Sequence, residues 1–230
     1  MILMRRSREV DEVHTTLIAS VNPGLVAIQG VARGPDVSAS PVTGTPCVYR
    51  ETVLYQMQGA GRSAHFVEVA RDTFAGPDSS FQVEDSSGRI PVIALGADFE
   101  ITKDTFTNDG SAKKLGETAK AWITQYGFTW KDTFWAALTH KFKLEEQRIE
   151  EGSAVYVLGT VAPAEDELKG INPSNYMLCK GGQHSDFIIG SGPRAVVEQR
   201  IAAAARWRFV TAVALATVGI VFILTGLHVL

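Results

Sequence analysis

"SPVTGTPCVYRETVLY", residues 40–55, is the stretch on which the fold class turns. Pro41, Gly44 and Pro46 make a turn that ends at Cys47. From there to Met57 the residues alternate. Val48, Arg50, Thr52 and Leu54 share one face, and Tyr49, Glu51, Val53 and Tyr55 share the other. The pattern predicts a strand over 47–57. Gly59, Ala60 and Gly61 close it, and "HFVEVARDTF" (65–74) pairs back as a hairpin. Cys47 opens the strand. Of its sequence neighbours only Arg50 could depress a thiol pKa, and free cysteine is among the most buried residue types. It reads as a small apolar strand residue, in preference to a nucleophile or metal ligand.

Working outward, strand signals continue on both sides. Asn22, Pro23 and Gly24 form a turn before "GLVAIQGVAR" (24–33), a strand expected to bury Leu25 or Val26 on one face and Ile28 on the other. "FQVEDSSGRIPVIA" (81–94) reads strand, Asp85–Gly88 turn, strand. "FKLEEQRIEEGSAVYVLGTVA" reads as two strands around a turn at Glu151 and Gly152, with "NYMLCK" and "DFIIG" as two more. Leu115, Ala119, Trp122, Ile123 and Tyr126 recur at helical spacing, and 130–139 predicts a second short helix. The fold class is therefore α+β and mainly β: a compact, barrel-like domain over 15–190 with a helical insertion at about 111–140. Residues 1–14 form a basic N-terminal segment.

The C-terminal end differs. After Pro193, which suits the first turn of a helix, "RAVVEQRIAAAARWRF" continues without a breaker. "FVTAVALATVGIVFILTGLHVL" (209–230) then contains no Asp, Glu, Lys or Arg. A helix of that length reaches roughly 33 Å, enough for a bilayer core of about 30 Å. The sequence thus predicts a juxtamembrane helix over 191–208 and a transmembrane helix over 209–230. Arg206, Trp207, Arg208 and Phe209 form its interfacial anchor. Arg200, Arg206 and Arg208 precede the span, so the positive-inside rule keeps 1–208 in the cytoplasm. Ala212, Ala216 and Gly219 form a small-residue stripe through which copies could associate. The opening "MILM", ahead of Arg5, Arg6 and Arg8, is too short to span and reads as an ordinary start or the remnant of a longer apolar segment.

Chemistry is harder to find. Net charge is −3 with 20% charged residues, which gives no polybasic signature for nucleic acid. Two cysteines, Cys47 and Cys179, and five scattered histidines make neither a disulfide framework nor a zinc module, so no metal or cofactor is expected. His184, Ser185 and Asp186 are triad residue types, but adjacent strand positions point to opposite faces. Glu145, Glu146, Glu150 and Glu151 read as a solvated strand edge and turn. Trp122, Trp130, Phe134 and Trp135 read as core, with a membrane-facing rim as the alternative.

Three stretches in order, "SPVTGTPCVYRE" (40–51), "FQVEDSSGRIPVIA" (81–94) and "EEGSAVYVLGTV" (150–161), resemble the GIDE or BAM ("beside a membrane") domain. The Arg- and Ala-rich helix and apolar tail fit the same pattern. The resemblance covers about residues 15–230. It rests on Ser40, Pro41, Gly44, Pro46, Cys47 and Tyr49, on Asp85 and Gly88, and on Gly152, Val155, Tyr156, Val157, Leu158 and Gly159. It implies kinship with Mulan-type membrane-anchored ubiquitin ligases, in which ligase activity resides in a RING absent from this chain. Two functions follow: a non-catalytic binding, sensing or scaffold module at the membrane surface, or a component of ubiquitin-like conjugation whose RING is supplied by another chain. The partners implied are the lipid bilayer and a protein of unknown identity.

Overall fold

"AVYVLGTVAP", Ala154–Pro163, is apolar at nearly every position, as a strand buried on both faces must be. In the computed structural model it is the hub of the molecule. The structure describes residues 13–59, 63–76, 80–107, 116–127, 142–164, 175–182 and 186–227.

Strands are numbered in chain order: β1 (Gly24–Arg33), β2 (Ser38–Ala39), β3 (Pro46–Gln58), β4 (His65–Phe74), β5 (Ser80–Asp85) and β6 (Gly88–Ile93). They continue as β7 (Asp98–Glu100), β8 (Lys103–Thr107), β9 (Phe142–Glu150), β10 (Ala154–Pro163), β11 (Tyr176–Cys179) and β12 (Ile188–Ser191). The helices are α1 (Glu117–Gln125) and α2 (Arg194–Leu227), and a single 3-10 turn covers Ile18–Ser20. The protein is mainly β. The expected strand at 24–33 is β1, and the expected hairpin is β3 with β4.

β1, β5, β6, β11 and β10 close a ring, because β10 pairs antiparallel with β1 as well as with β11. Within this ring β6 and β11 run parallel, at Val92 opposite Leu178, and outside it β7 runs parallel to β12. Counted along the chain, the ring order is first, second, third, fifth, fourth, the connectivity of an OB-type Greek-key barrel. Such barrels carry many unrelated functions, so topology alone assigns none. Alternate residues point inward. Val26, Ile28 and Ala32 of β1 pack in the core with Val155, Val157 and Val161 of β10. Val26 and Ile28 thus share one face, while Leu25 is exposed, unlike the sequence expectation.

The outward face of β10 explains its second row of apolar residues. Tyr156 and Leu158 join Ala27 and Ile188 beneath Val197 and Ile201 of α2. Gly190 permits this approach, since a Cβ there would lie 2.4 Å from Val197 Cγ2. Polar contacts fix the same turns. Gln29 Oε1 accepts from the Arg194 N–H, and Arg194 Nη1 donates to the Val13 carbonyl. Arg200 Nη1 donates to the Glu100 and Ser191 carbonyls. The first two turns of α2 are therefore part of the barrel, not a free stalk.

A second sheet, in the order β2-β3-β9-β8 with β4 also on β3, is inserted between barrel strands. α1 covers its lower half, where Ala119, Trp122 and Ile123 pack on Leu54, Ala70, Phe142 and Leu144. Trp122 is a core residue, with Tyr126 edge-on at 4.9 Å. Trp130, Phe134, Trp135 and the helix expected at 130–139 lie outside the described residues.

α2 runs as one helix to Leu227. Among the described residues no helix is long and apolar enough to cross a membrane. Of positions 209–230, side chains are described only at Val210, Thr211, Leu215 and Thr217, all exposed. The expected span lies mostly outside them.

Candidate functional site

β3 and β9 are long enough to serve two cores, and their pairing decides what lies between. Three rows cross the inserted sheet on its inner face. Ala70, Leu54, Leu144 and Phe106 form an apolar row. Asp72, Thr52, Glu146 and Asp104 form the next, and Arg50 and Arg148 oppose each other in the third. A β-bulge between Cys47 and Tyr49 then turns β3, so that Val48, Tyr49 and Ile149 enter the barrel core. Tyr49 stacks on Phe99 at 4.1 Å. A charged layer thus separates two apolar clusters.

Glu146 lies at the centre of that layer and is 1% exposed. A buried carboxylate must be hydrogen-bonded or paired, and this one is both. The Ser40 hydroxyl donates to Oε1 at 2.6 Å, the Thr52 hydroxyl to Oε2 at 3.1 Å, and Arg148 Nη1 to Oε1 at 3.1 Å. Ser40 reaches it because its oxygen also accepts from the Val42 and Thr43 N–H groups, which folds the turn. Gly44 completes that turn at φ +75°. The opening motif is therefore a device for placing one hydroxyl.

Arg148 holds three carboxylates. Nη1 lies 2.6 Å from Asp104 Oδ2, and Nε lies 3.0 Å from Glu150 Oε1, beside the contact to Glu146. Burial works against its charge, but the bonds to Asp104 and Glu150 carry its pKa above the ordinary arginine value. Arg50 pairs separately with Asp72 at 2.7 Å.

Beside this fork a cleft of about 260 Å³ opens where the inserted sheet meets the barrel. Asp104, Arg148 and Glu150 line one side, Ile101 and Thr102 the link from β7 to β8, and Ser153 and Ser191 the barrel side. Ser191 Oγ accepts from Arg200 Nη1 at 3.1 Å, so the cleft wall and α2 share a hydrogen bond. This cleft is the candidate site.

The residues singled out from sequence are distributed around it without forming it. Cys47 is fully buried at the bulge, and its thiol donates to the Thr45 carbonyl at 3.1 Å. Burial, reinforced by the charge of Glu146, pushes its pKa up to about 11. Burial and Glu51 likewise raise the Tyr49 phenol. Pro41 is buried in the turn, and Pro46 starts β3 opposite Ala39. Asp85 accepts from the Ser87 and Gly88 N–H groups and the Ser87 hydroxyl through Oδ1, and from the Ile18 N–H through Oδ2. Gly152 turns β9 into β10 at φ +80°. Val155, Tyr156, Val157 and Leu158 are the doubly buried run, and the Phe187 ring packs where a Cβ on Gly159 would stand. Arg206 and Trp207 are exposed, while the side chains of Arg208 and Phe209 lie outside the described set.

Asp186 precedes β12, and His184 and Ser185 lie outside the described residues. Among the described residues, no three His, Cys, Asp or Glu side chains are grouped to hold a metal ion.

The glutamate cluster is where sequence reasoning missed the site. Glu146 is not a solvated edge residue, because β9 lies between β3 and β8. The signal was present: alternation puts Glu146 and Arg148 on the face of Phe142 and Leu144, and Arg50 and Thr52 on that of Leu54. Charge on an apolar face marks either a partnered layer or an error in register. No family model, no curated protein and no solved structure matches this chain.

Proposed function

We propose that the chain is a membrane-anchored, non-catalytic binding module of the GIDE/BAM type, with residues 1–208 on the cytoplasmic side. The observation that carries the anchor is the uncharged run 209–230, which continues a helix whose first turns are clamped to the barrel. Supporting the binding reading is the state of the cleft. Its charged groups are engaged with one another, and its walls come from both sheets and from the strand that leads into α2. Such a seam suits recognition and its relay to the anchor better than acid–base turnover. The order of the three motif stretches supports the family assignment. Scaffolding of ubiquitin-like conjugation would be a use of the same module, and no side-chain arrangement favours it.

Full-length protein should co-float with vesicles and resist alkaline carbonate extraction. Leu215→Lys, which sets a charge about a third of the way into the run, should weaken both. Release of the wild-type chain into the carbonate supernatant would remove the anchor from the proposal.

A further inference from the structure

α2 lies across the barrel strands. Gln29, Tyr156, Gly190 and Glu100 are register neighbours on β1, β10, β12 and β7. Successive turns of the helix meet that row in order. The Arg194 N–H donates to Gln29 Oε1, Val197 packs over Gly190, and Arg200 Nη1 donates to the Glu100 carbonyl at 3.0 Å. The helix therefore enters over β1 and leaves over β7, the last strand of its sheet. Ile201 is the last of its described side chains to be buried, and Ala203, Ala204, Arg206 and Trp207 beyond it are exposed.

That geometry fixes how near a bilayer would come. Phe209, where the uncharged run begins, follows Ile201 by about 12 Å of helix. A headgroup layer is about 5–7 Å deep, so about the same distance separates the β7 side of the barrel from the headgroups. Trp207, about 9 Å beyond Ile201, falls at headgroup level, where its amphipathic ring is favoured.

The turn that leads into β7 projects on this side. The Ala97 N–H donates to the Ala94 carbonyl at 3.1 Å, and Gly96 stands at φ +77°. Leu95 at its tip is 73% exposed. A Cβ on Gly96 would lie 3.0 Å from Lys180 Cδ, so the Lys180 stem runs along the same turn. The Asp98 N–H, donating to the Phe187 carbonyl, ties the turn to the strand beneath α2. One exposed leucine is ordinary on a protein surface. An apolar tip with an ammonium beside it, set where a rigid helix leaves for the membrane, has the composition of an interfacial contact. Around the exit Lys103, Lys180 and Arg200 balance Asp98, Glu100 and Asp104, which suits a zwitterionic headgroup layer.

We propose that the β7 side of the barrel rests on the bilayer surface, with Leu95 set among the lipid headgroups and the Lys180 ammonium against lipid phosphate. This contact deepens the anchored-module reading and rests on it.

The test uses full-length protein in phosphatidylcholine vesicles, in a Cys179→Ser background, with an NBD label on Leu95→Cys, Leu17→Cys or Leu215→Cys. All three positions are exposed, so the fold tolerates the label. Leu17 lies on the β1 side, where α2 enters, next to the Thr16 N–H that donates to the Ala27 carbonyl. A nitroxide on the lipid headgroup should quench the label at 95 and leave that at 17 bright. A nitroxide on the acyl chain should quench the label at 215. In Leu95→Cys the emission should also shift to the blue on transfer from detergent to vesicles. Quenching at 17 equal to or above that at 95, or none at 95 while 215 is quenched, overturns the surface contact and leaves the anchor standing. No quenching at 215 removes the anchor and the contact with it.

Discussion

The barrel and the inserted sheet solve the same problem differently. The barrel fills its interior with Ile28, Val83, Ile90, Val92, Val155, Val157 and Leu178, all fully buried, and needs no charge to do so. The inserted sheet buries an apolar row too, but sets beside it a row of carboxylates and a pair of arginines. Apolar packing is non-directional and tolerant of exchange. A charged row is not. A one-residue slip of β9 against β3 moves Glu146 and Arg148 to the opposite face, away from Ser40, Thr52 and Asp104. The barrel gains its stability from burial, and the seam fixes the register in which the two units meet.

The comparison breaks most visibly at Arg148. Arg148→Met leaves Glu146 buried with only hydroxyl partners, which should cost about 3–5 kcal/mol in urea unfolding. Adding Glu146→Met should recover most of that loss, since paired apolar replacement of a buried ion pair is often neutral. Failure of the double variant to recover would show that the seam contributes stability in its own right.

A smaller effect sharpens the contrast from the barrel side. Asp85 is held by hydroxyl and N–H donors. Burial by itself would raise its pKa, but the bonds from Ser87, Ile18 and Gly88 outweigh it and lower the value. A carboxyl with a lowered folded-state pKa stabilises fully above its unfolded value, near 4, and loses that contribution as pH falls through the folded value. Unfolding free energy of the wild type should therefore decline more steeply below about pH 4 than that of Asp85→Asn. Parallel slopes would contradict the assignment.

The smallest effect is kinetic. At neutral pH Cys47, buried and with its pKa raised, should react with a thiol-selective reagent far more slowly than the half-buried Cys179. Cys47 labelling as fast as Cys179 would show that the bulge opens.

Much of this architecture was legible because it is local. Every strand from 24 to 191 that alternation or turn chemistry marked is present, Asp85 stands in the turn its carboxylate favours, and Gly44 and Gly152 stand in turns whose positive φ suits a residue without a Cβ. The short strands β2, β7 and β8 carried no such mark, and two further things were not legible. Ring closure depends on pairing between β6 and β11, which no local pattern encodes. The docking of α2 was hidden because Val197 and Ile201 look like ordinary residues of an Ala-rich helix until the outward apolar row of β10 is seen to need a cover. The seam falls between these cases: its residues were visible in the period-2 pattern, but their meaning depended on which face became interior.

The parallel contact between β6 and β11 also bears on how the chain folds. Val92 and Leu178 are 86 positions apart, and β7, β8, α1, β9 and β10 lie between them. Closing so long a loop is entropically unfavourable until the intervening structure has shortened it. Hairpins β3–β4 and β5–β6 can form first from neighbours in sequence, and the ring shuts last. A barrel assembled in that order spends its early life as an open sheet with unpaired edges, the state in which a chain of this kind is most exposed to misassembly.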